Sequence, residues 1–478
     1  MWEGRNLLRP LQYDILCGMK TAHIGRRGFL AGVAGAAACG WRAAFAAAGA
    51  VPRRPKPSDR INLGVIGCGT QAYANVPAFL RDERVQVTVV CDPVLEAGGY
   101  SYDGKHPGGR KVFKEKVDAH YGNASCRMTA DWREVVADPT VDAVVVITPD
   151  HWHALVAIAA MKAGKHVYCQ KPMSLGVREG QEMVRVAKAS GVTFQVGSQH
   201  RQDSSFRQAG ELVASGYIGA VKYAEVGLPG ANGGQWGHGR DTSRQARPGY
   251  FTREGWDMWL GPSRHWENDA FIPAIHEPMC WRWNSRTGGG MITDWGAHWI
   301  DILQWTIGAE RTGPVSVENM ATNLSDDPCL NWADKYAFDL VYADGFRAHV
   351  SDAARCGITW HGEKGDIFVD WTKIERPDFL KKWREKTDLK PGDKHFYRAA
   401  NGHSHESDFI DGIYENRPIA TDCEIGHRSI SACHIANICE RLRLAKLTWD
   451  SQAETFTGAH AEEANRLLET PHLNGWKL

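Results

Sequence analysis

The sequence has no excess of charge of either sign, no closely spaced cysteine pair and no long apolar run. Lysine and arginine number 56 together, as do aspartate and glutamate, so the formal net charge is zero. Nucleic-acid binding draws its affinity from clustered basic residues, so this balance argues against a nucleic-acid partner. None of the 12 cysteines belongs to a Cys-x-x-Cys pair, so no zinc or redox motif is indicated.

Residues 1–50 carry a pattern that is typical of export. Arg26 and Arg27 precede a Phe-Leu pair and then a stretch dominated by alanine and glycine. This arrangement resembles a twin-arginine signal with an upstream extension, whereas its small residues bury too little apolar surface for a membrane span. We therefore expect an exported, periplasmic protein with residues 51–59 as a linker. A disordered or cytoplasmic tail is the alternative interpretation.

A glycine-rich turn follows the first predicted strand. The apolar run 61–66 leads into Gly67-Cys68-Gly69-Thr70-Gln71-Ala72 and then into a segment that fits a helix. In such a turn the first glycine permits the sharp bend, the second lets the backbone approach a pyrophosphate, and the small last residue lets the helix pack on the strand. The residues predicted to bind a dinucleotide at this helix N-terminus are Gly67, Gly69, Thr70, Gln71 and Ala72.

An acid at the end of the second predicted strand indicates which dinucleotide is bound. The run 85–90 is followed by Cys91 and Asp92. The carboxylate of Asp92 can accept hydrogen bonds from both ribose hydroxyls and would repel a 2′-phosphate. This favours NAD over NADP.

Later strand ends should border the same cofactor. The β-branched run 142–148 is typical of a central parallel strand, and ligands bind at the carboxyl ends of such strands. His151 and His153 in the following loop could instead be structural. The residues expected to contact the cofactor here are Thr148, Pro149, His151, His153, Gln170, Lys171 and Gln199.

These features together resemble the Gfo/Idh/MocA family, named after glucose-fructose oxidoreductase and inositol dehydrogenase. The resemblance rests on the turn at Gly67, Asp92, Thr148-Pro149, Gln170-Lys171-Pro172 and the segment from Gly288 to His298. It implies an α/β fold: an N-terminal Rossmann domain with a doubly wound parallel sheet at 60–201, and a C-terminal α+β domain with a large, mostly antiparallel sheet at 202–478. It also implies a homo-oligomer formed through the C-terminal sheet. The family has Glu-Lys-Pro where this chain has Gln170-Lys171-Pro172.

The resemblance implies that Lys171, Asp294 and His298 line the place where a sugar or polyol hydroxyl faces the nicotinamide. Asp294 and His298 are four residues apart on a predicted helix, 294–307, and so share one face. An imidazole can accept a hydroxyl proton near neutral pH. Lys171 can stabilise the negative charge that develops on the oxygen, and Asp294 can orient the imidazole or bind a neighbouring hydroxyl.

The activity implied is NAD-dependent oxidation of a secondary hydroxyl of a sugar, glycoside or cyclitol. A periplasm holds no dependable pool of soluble NAD, so the cofactor should stay tightly bound. The alternative is an NAD-dependent glycoside hydrolase that uses the same residues for transient oxidation at C3, elimination, water addition and re-reduction. A non-catalytic sugar-binding or assembly protein on the same fold is a third possibility.

Tryptophan is concentrated ahead of and within the predicted catalytic helix. Nine tryptophans lie between Trp236 and Trp305. They could stack on sugar faces or anchor a subunit interface, and individual residues such as Trp295 and Trp299 could simply pack the catalytic helix. The segment 230–249 could form a loop that closes over the substrate. Candidate substrate contacts are Arg201, Arg282, Arg286 and Trp295.

A histidine-rich segment near residue 404 contains possible metal ligands. His403, His405 and Glu406 could ligate a metal. A polar helix start is favoured, because Ser404 is a good N-cap and acids are stabilised in a first helical turn. We therefore predict no metal.

Overall fold

The computed structural model describes residues 59–98, 106–230, 249–263, 280–324, 326–327, 330–383, 390, 393–394, 396–397 and 404–478. The predicted export signal, most of the predicted linker, the interior of the 230–249 loop and His403 lie outside these ranges. Within them, no helix is both long and apolar enough to cross a membrane.

Short β-branched runs alternate with helices in the first part of the chain and build a six-stranded parallel sheet. Its strands are Ile61–Ile66 (β1), Val85–Cys91 (β2), Arg127–Thr129 (β3), Ala143–Val146 (β4), His166–Cys169 (β5) and Phe194–Val196 (β6). The strand order is β3-β2-β1-β4-β5-β6. The helices between them are Ala72–Leu80 (α1), Arg110–Tyr121 (α2), Trp132–Ala137 (α3), Asp150–Lys162 (α4) and Val177–Ser190 (α5). The order reverses between β1 and β4, which opens a crevice at their carboxyl ends. The predicted Rossmann sheet is confirmed.

The rest of the chain builds a nine-stranded sheet with helices on one face. Its strands are Val221–Gly227 (β7), Ser316–Thr322 (β8), Tyr336–Val341 (β9), Arg347–Ser351 (β10), Gly357–Gly362 (β11), Gly365–Val369 (β12), Ile374–Glu375 (β13), Leu447–Asp450 (β14) and Thr455–Thr457 (β15). Neighbouring strands are antiparallel except β7 and β10, so the predicted mostly antiparallel sheet is confirmed. The helices are Ser204–Ala214 (α6), Arg253–Leu260 (α7), Gly290–Asp294 (α8), Gly296–Thr306 (α9), His405–Glu415 (α10), Cys423–Arg441 (α11) and Ala461–Arg466 (α12).

Alternating burial along the strands explains why the second sheet has one covered face. In β9, Tyr336, Phe338 and Leu340 are buried while the residues between them are partly exposed. Such a period of two places one set of side chains in the core. That core is shared with α9 and α11, the former contributing the fully buried Trp299.

One helix of the C-terminal segment belongs to the first sheet's surroundings. Phe409, Ile410 and Ile413 of α10 are fully buried, and Phe409 makes edge contacts with Phe79 and Tyr168. The predicted boundary at residue 201 therefore separates the two sheets, but α10 returns to complete the packing of the Rossmann domain. The predicted N-cap of α10 is confirmed, since Ser404 accepts a hydrogen bond from the backbone N–H of Ser407.

The concentrated tryptophans are mainly core residues. Six of the nine, Trp256, Trp259, Trp283, Trp295, Trp299 and Trp305, are at most 8% exposed. Trp236 and Trp266 lie outside the described residues. For these six, packing is the role that the structure shows, because side chains buried this deeply in the protomer offer little surface to a second subunit. For Trp295 and Trp299 this is the packing role that the sequence also allowed, while sugar stacking or an interface role for the other tryptophans of this segment stays a prediction.

Candidate active site

The glycine-rich turn lies where β1 meets α1. Gly67 has φ of 103° and donates its N–H to the carbonyl oxygen of Cys91 at 2.8 Å. A Cβ on Gly67 would collide with the backbone carbonyl of Ile147, so only glycine fits this approach of two strand ends. Ala72 is fully buried, which allows the close packing of α1 that the sequence predicted.

Asp92 ties the second strand to the turn. Its carboxylate accepts the backbone N–H of Cys68 at 2.8 Å through one oxygen and that of Val94 at 2.8 Å through the other. An ionised carboxylate has about four lone-pair sites, so both oxygens retain acceptor capacity for ribose hydroxyls. The side chain is thus held in place before any ligand arrives.

A cavity opens at these strand ends. Its lining includes the predicted residues Gly67, Gly69, Thr70, Gln71, Asp92, Thr148, Pro149, Gln170 and Lys171. The glycine cradle, the start of α1 and a fixed carboxylate suit, respectively, the pyrophosphate and the ribose of a dinucleotide. The residues present therefore fit NAD.

The second domain covers this cavity. Met258 and Trp259 of α7, together with Trp281 and Arg282, line the side opposite the turn. The apolar cluster under α7 includes Val94, which directly follows the Asp92 strand end. A cofactor bound at the turn would consequently lie between the two domains.

A stack of tryptophans supports another part of the wall. Trp132 and Trp152 line the cavity, and Trp476 lies behind them with its ring 4.9 Å from that of Trp152. The segment around Trp476 is anchored by two hydrogen bonds. The backbone N–H of Leu473 donates to Pro262 at 2.9 Å, and Asn474 Nδ2 donates to the Gly261 carbonyl at 3.0 Å.

Three charged side chains meet at the edge of the cavity. Lys171 Nζ lies 2.9 Å from Asp294 Oδ1 and 3.1 Å from the Asp294 carbonyl oxygen. Arg282 Nε lies 3.0 Å from Asp294 Oδ2. All three side chains are largely buried, so the shared carboxylate offsets the cost of removing two cations from water. The structure thus brings Lys171 and Asp294 together.

His298 lies one turn beyond Asp294, but the two are not on one regular helix. The predicted helix 294–307 is divided into α8 and α9, with Trp295 between them. The Asp294 carboxylate binds Lys171 and Arg282 instead of orienting the imidazole, which corrects that part of the prediction. The ring of His298 makes an edge contact with His200, their centroids 4.7 Å apart.

The electrostatics keep His298 neutral. Burial, and then the positive charge of Lys171, hold the pKa of His298 well below its ordinary value. Its Nδ1 is buried and has no hydrogen-bond partner among the described residues. A neutral imidazole beside a lysine is able to accept a proton, as a general base requires.

His151 and His153 face the protein and not the cavity. Nδ1 of His153 lies 2.6 Å from the Pro172 carbonyl and its Nε2 lies 2.8 Å from the Thr148 carbonyl. His151 Nε2 lies 2.9 Å from the Trp259 carbonyl. Burial lowers the pKa of each to about 4, so both rings are neutral. They link the loops that border the cavity, and their predicted cofactor contacts are absent from its lining.

Asp150 is the loop residue that sequence reasoning passed over. It is the first residue of α4, is buried, and lines the cavity. Burial raises its pKa well above the ordinary value for aspartate. Its position directly after the strand-ending Thr148-Pro149 pair is the signal that could have found it.

The remaining candidates lie away from the cavity. Arg201 forms buried ion pairs with Asp301 and Glu310, an arrangement typical of a structural role. Arg286 is partly buried, which lowers its pKa, and Trp295 packs on Trp371 with ring centroids 4.6 Å apart. Gln199 Nε2 donates to the Tyr168 hydroxyl at 3.1 Å. None of them is in the cavity lining, and their contacts with ligands stay predictions.

A doubly wound domain with a glycine cradle, a ribose-binding acid and a lysine at its strand ends, facing an aspartate and a histidine from a second domain, defines a nicotinamide-dependent oxidoreductase. Comparison with known families agrees. A profile described as "Oxidoreductase family, NAD-binding Rossmann fold" matches residues 61–198, and one described as "Oxidoreductase family, C-terminal alpha/beta domain" matches residues 204–478. The chain belongs to the Gfo/Idh/MocA oxidoreductase family, and its cofactor is NAD.

Similar proteins of known name are distant. The uncharacterized oxidoreductase YrbE of Bacillus subtilis is 24% identical over 316 residues, which cover 65% of this chain and 72% of YrbE. Levoglucosan dehydrogenase of Pseudarthrobacter phenanthrenivorans is 29% identical over 34% of this chain and 39% of its own length. Myo-inositol 2-dehydrogenase of Thermotoga maritima is 38% identical over 19% of this chain and 27% of its own length.

Solved structures share the fold. The WlbA dehydrogenase from Chromobacterium violaceum, in complex with NADH and UDP-GlcNAcA, has a TM-score of 0.56 at 19% identity and covers 84% of this chain and 98% of its own. Levoglucosan dehydrogenase, in complex with NADH and levoglucosan, has a TM-score of 0.54 at 18% identity and covers 82% and 99%.

Proposed function

We propose that the protein oxidises a secondary hydroxyl of a sugar, glycoside or cyclitol with tightly bound NAD. The observation that carries the proposal is the contact of Lys171 with Asp294 at the edge of the NAD cavity, with His298 one turn away. The names of two similar proteins, levoglucosan dehydrogenase and myo-inositol 2-dehydrogenase, support this substrate class.

Each residue has a task in this reaction. NAD, when bound, supplies the two-electron acceptor for the carbon that carries the hydroxyl. His298 takes the hydroxyl proton on a ring nitrogen, which its lowered pKa keeps free at neutral pH. Lys171 donates a hydrogen bond to the same oxygen as negative charge develops there. Asp294 holds the Lys171 ammonium in position through its 2.9 Å ion pair.

Retention of the cofactor is supported by the lining of the cavity. Met258, Trp259, Trp281 and Arg282 come from the second domain, so side chains of both domains would hold NAD in place. We propose that the twin-arginine pattern at Arg26 and Arg27 directs export after the cofactor has been loaded. Without a soluble NAD pool, the bound NADH would return its hydride on the enzyme, either to the carbonyl of a second sugar or to the oxidised substrate itself, so that the cycle is redox-neutral.

An oligomer through the nine-stranded sheet is a further part of the proposal. Tyr223 and His361 stack on the sheet face opposite the helices, with centroids 5.3 Å apart, and both are partly or largely exposed. Light scattering of wild type and of a Tyr223→Glu/His361→Glu variant measures the assembly. Equal masses at monomer size would contradict it.

The test begins with mass analysis of denatured, purified protein for NAD. A sugar and cyclitol panel is then followed by the absorbance of NADH, using wild type, Lys171→Met and, as control, Lys188→Met. Lys188 is also ion-paired, with Glu424 at 2.7 Å, but its side chain is 69% exposed and it lies outside the cavity lining.

We expect stoichiometric NAD in all three proteins and a rate loss of about 100-fold or more in Lys171→Met alone, as for the removal of a group that stabilises transition-state charge. Equal loss in both variants, or activity that survives Lys171→Met, would contradict the assignment. Cleavage of a nitrophenyl glycoside without net NADH would favour the hydrolase instead.

A further inference from the structure

A buried line of polar side chains runs behind the lysine of the active site. Gln170 Nε2 donates to Asn75 Oδ1 at 2.8 Å, and Asn75 Nδ2 donates to Glu406 Oε1 at 3.0 Å. At its other end, Gln170 Oε1 accepts the backbone N–H of Lys171 at 3.2 Å. Asn75, Gln170 and Glu406 are only 1%, 3% and 8% exposed, so these side chains have little access to water as another hydrogen-bond partner.

The carboxylate sets the direction of every bond in this line. An ionised carboxylate only accepts, so Asn75 must turn its amide nitrogen toward Glu406 and its oxygen toward Gln170. Gln170 must then offer its nitrogen to Asn75, which leaves its oxygen for the Lys171 N–H. Gln71 Nε2, at 3.3 Å from Asn75 Oδ1, agrees with this orientation.

Packing against Gly197 holds the Gln170 side chain in this row of hydrogen bonds. A Cβ on Gly197 would lie 2.7 Å from Gln170 Oε1, so the amide fills the space against this part of the backbone. Its orientation is therefore transmitted to the Lys171 backbone, and the lysine side chain begins at that point.

We propose that Glu406 is a positioning residue, which orients the Gln170 amide through Asn75 and so fixes the backbone from which Lys171 reaches the substrate. The proposal rests on the function proposed above for Lys171. It also accounts for the departure from the family's Glu-Lys-Pro: the carboxylate of this site is supplied by α10 instead of by position 170.

The geometry allows an ionised carboxylate at position 170 or at position 406, but not at both. A glutamate at position 170 would place an acceptor at both ends of the Asn75 amide, and only one end can donate. Unless one carboxylate takes up a proton, Asn75 Oδ1 would face a charged oxygen inside the protein, a costly arrangement. With Glu406→Gln as well, Asn75 can turn over: its nitrogen then donates to the carboxylate at position 170 and its oxygen accepts from the amide at position 406, while the Lys171 N–H still donates to position 170.

The test is a double-mutant cycle on the full-length holoenzyme, with Gln170→Glu, Glu406→Gln and the double variant. Glu406→Gln should keep kcat within about threefold, because its amide oxygen can still accept from Asn75. Gln170→Glu should lower kcat by about 10- to 100-fold with little change in KM, the order expected for one unsatisfied charged partner. The double variant should return to within about threefold of Glu406→Gln.

Two further readouts separate positioning from general damage. The rate of Gln170→Glu relative to wild type should rise as pH falls, since a proton then bridges the conflict, and the double variant should show no such rise. Tyr168 and His405 also face Glu406 and respond to its charge, so each ratio compares two proteins with the same residue at position 406: Gln170→Glu with wild type, and the double variant with Glu406→Gln. Thermal unfolding of the same four proteins measures the coupling without any substrate.

The outcomes are distinct. A double variant as impaired as Gln170→Glu, or a harmless Gln170→Glu, overturns the proposal. Recovery of folded protein for the double variant but not for Gln170→Glu supports it, and failure of both to fold overturns it. If wild type oxidises no tested substrate, the proposed function is in question, while the thermal cycle still decides whether Glu406 and Gln170 are coupled.

Discussion

Arg201 provides a sharp test of how the structure assigns roles to charged residues. It binds both oxygens of Asp301 at 2.8 Å, and both side chains are only 2% exposed. Removing one partner of such a pair leaves an uncompensated buried charge and costs about 3–5 kcal/mol. Arg201→Met should therefore lower Tm by roughly 6–10 °C, at about 2 °C per kcal/mol for a domain of some 250 residues.

An exposed pair of similar length is the control. Arg311 lies 2.7 Å from Asp422, with side chains 55% and 42% exposed, so Arg311→Met should cost about 0–1 kcal/mol. The measurement is Tm by calorimetry at pH 8. Asp301→Asn on the Arg201→Met background should restore most of the loss, because it removes the unpaired buried charge.

The opposite result is equally clear. If Arg201→Met melts like Arg311→Met but binds substrate weakly, Arg201 is a substrate ligand, as the sequence analysis expected, and the structural assignment fails.

Three other measurements follow from the site. Burial and the charge of Lys171 hold the pKa of His298 below 6.5, so kcat/KM should stay level from about pH 8 to pH 6. A fall of kcat/KM at low pH with its midpoint above pH 6.5 would contradict this. Burial raises the pKa of Glu440 from 4.5 to about 7, so the stability that its protonated form contributes is fully present below about pH 4.5 and is lost as pH rises to about 7. Glu440→Gln should flatten the fall in Tm between about pH 4.5 and 7, and an unchanged slope would refute the argument. Asp92→Asn should weaken NAD retention about 10- to 100-fold, measured by cofactor content after gel filtration, and retention equal to wild type would exclude the ribose role.

The framework of the site could be predicted because its residues are local in sequence. The turn at Gly67 needs only a strand, a helix and small residues at fixed spacing, and the structure shows that geometry. The acid that ends β2 is likewise found from the strand that carries it. In both cases a short stretch of chain determines where the side chain points.

Side-chain direction after β4 could not be predicted in the same way. Because α4 begins at Asp150, that residue faces the cavity, whereas His153 is three residues on and meets Pro172 instead. The partner of His153 comes from a loop 19 residues later. No local pattern in the sequence shows which of Asp150 and His153 faces the cavity.

Long-range partners explain the other differences. Arg201 finds Asp301, 100 positions away, and Asn75 finds Glu406, 331 positions away. A single sequence contains both members of each pair but nothing that joins them. The break between α8 and α9 at Trp295 also involves a distant partner. The indole of Trp295 packs on Trp371, which lies between β12 and β13.

The tryptophan stack behind the cavity has a consequence for biosynthesis. Trp152 belongs to the Rossmann domain, but the ring that supports it belongs to Trp476, which the ribosome makes only after most of the chain has emerged. The domain can begin to fold early, as N-terminal domains generally do, yet this wall is completed late. We therefore expect nascent chains released before residue 476 to capture the dinucleotide poorly. A purification tag fused directly after Trp476 would also press on the cofactor wall, so tags are better placed elsewhere.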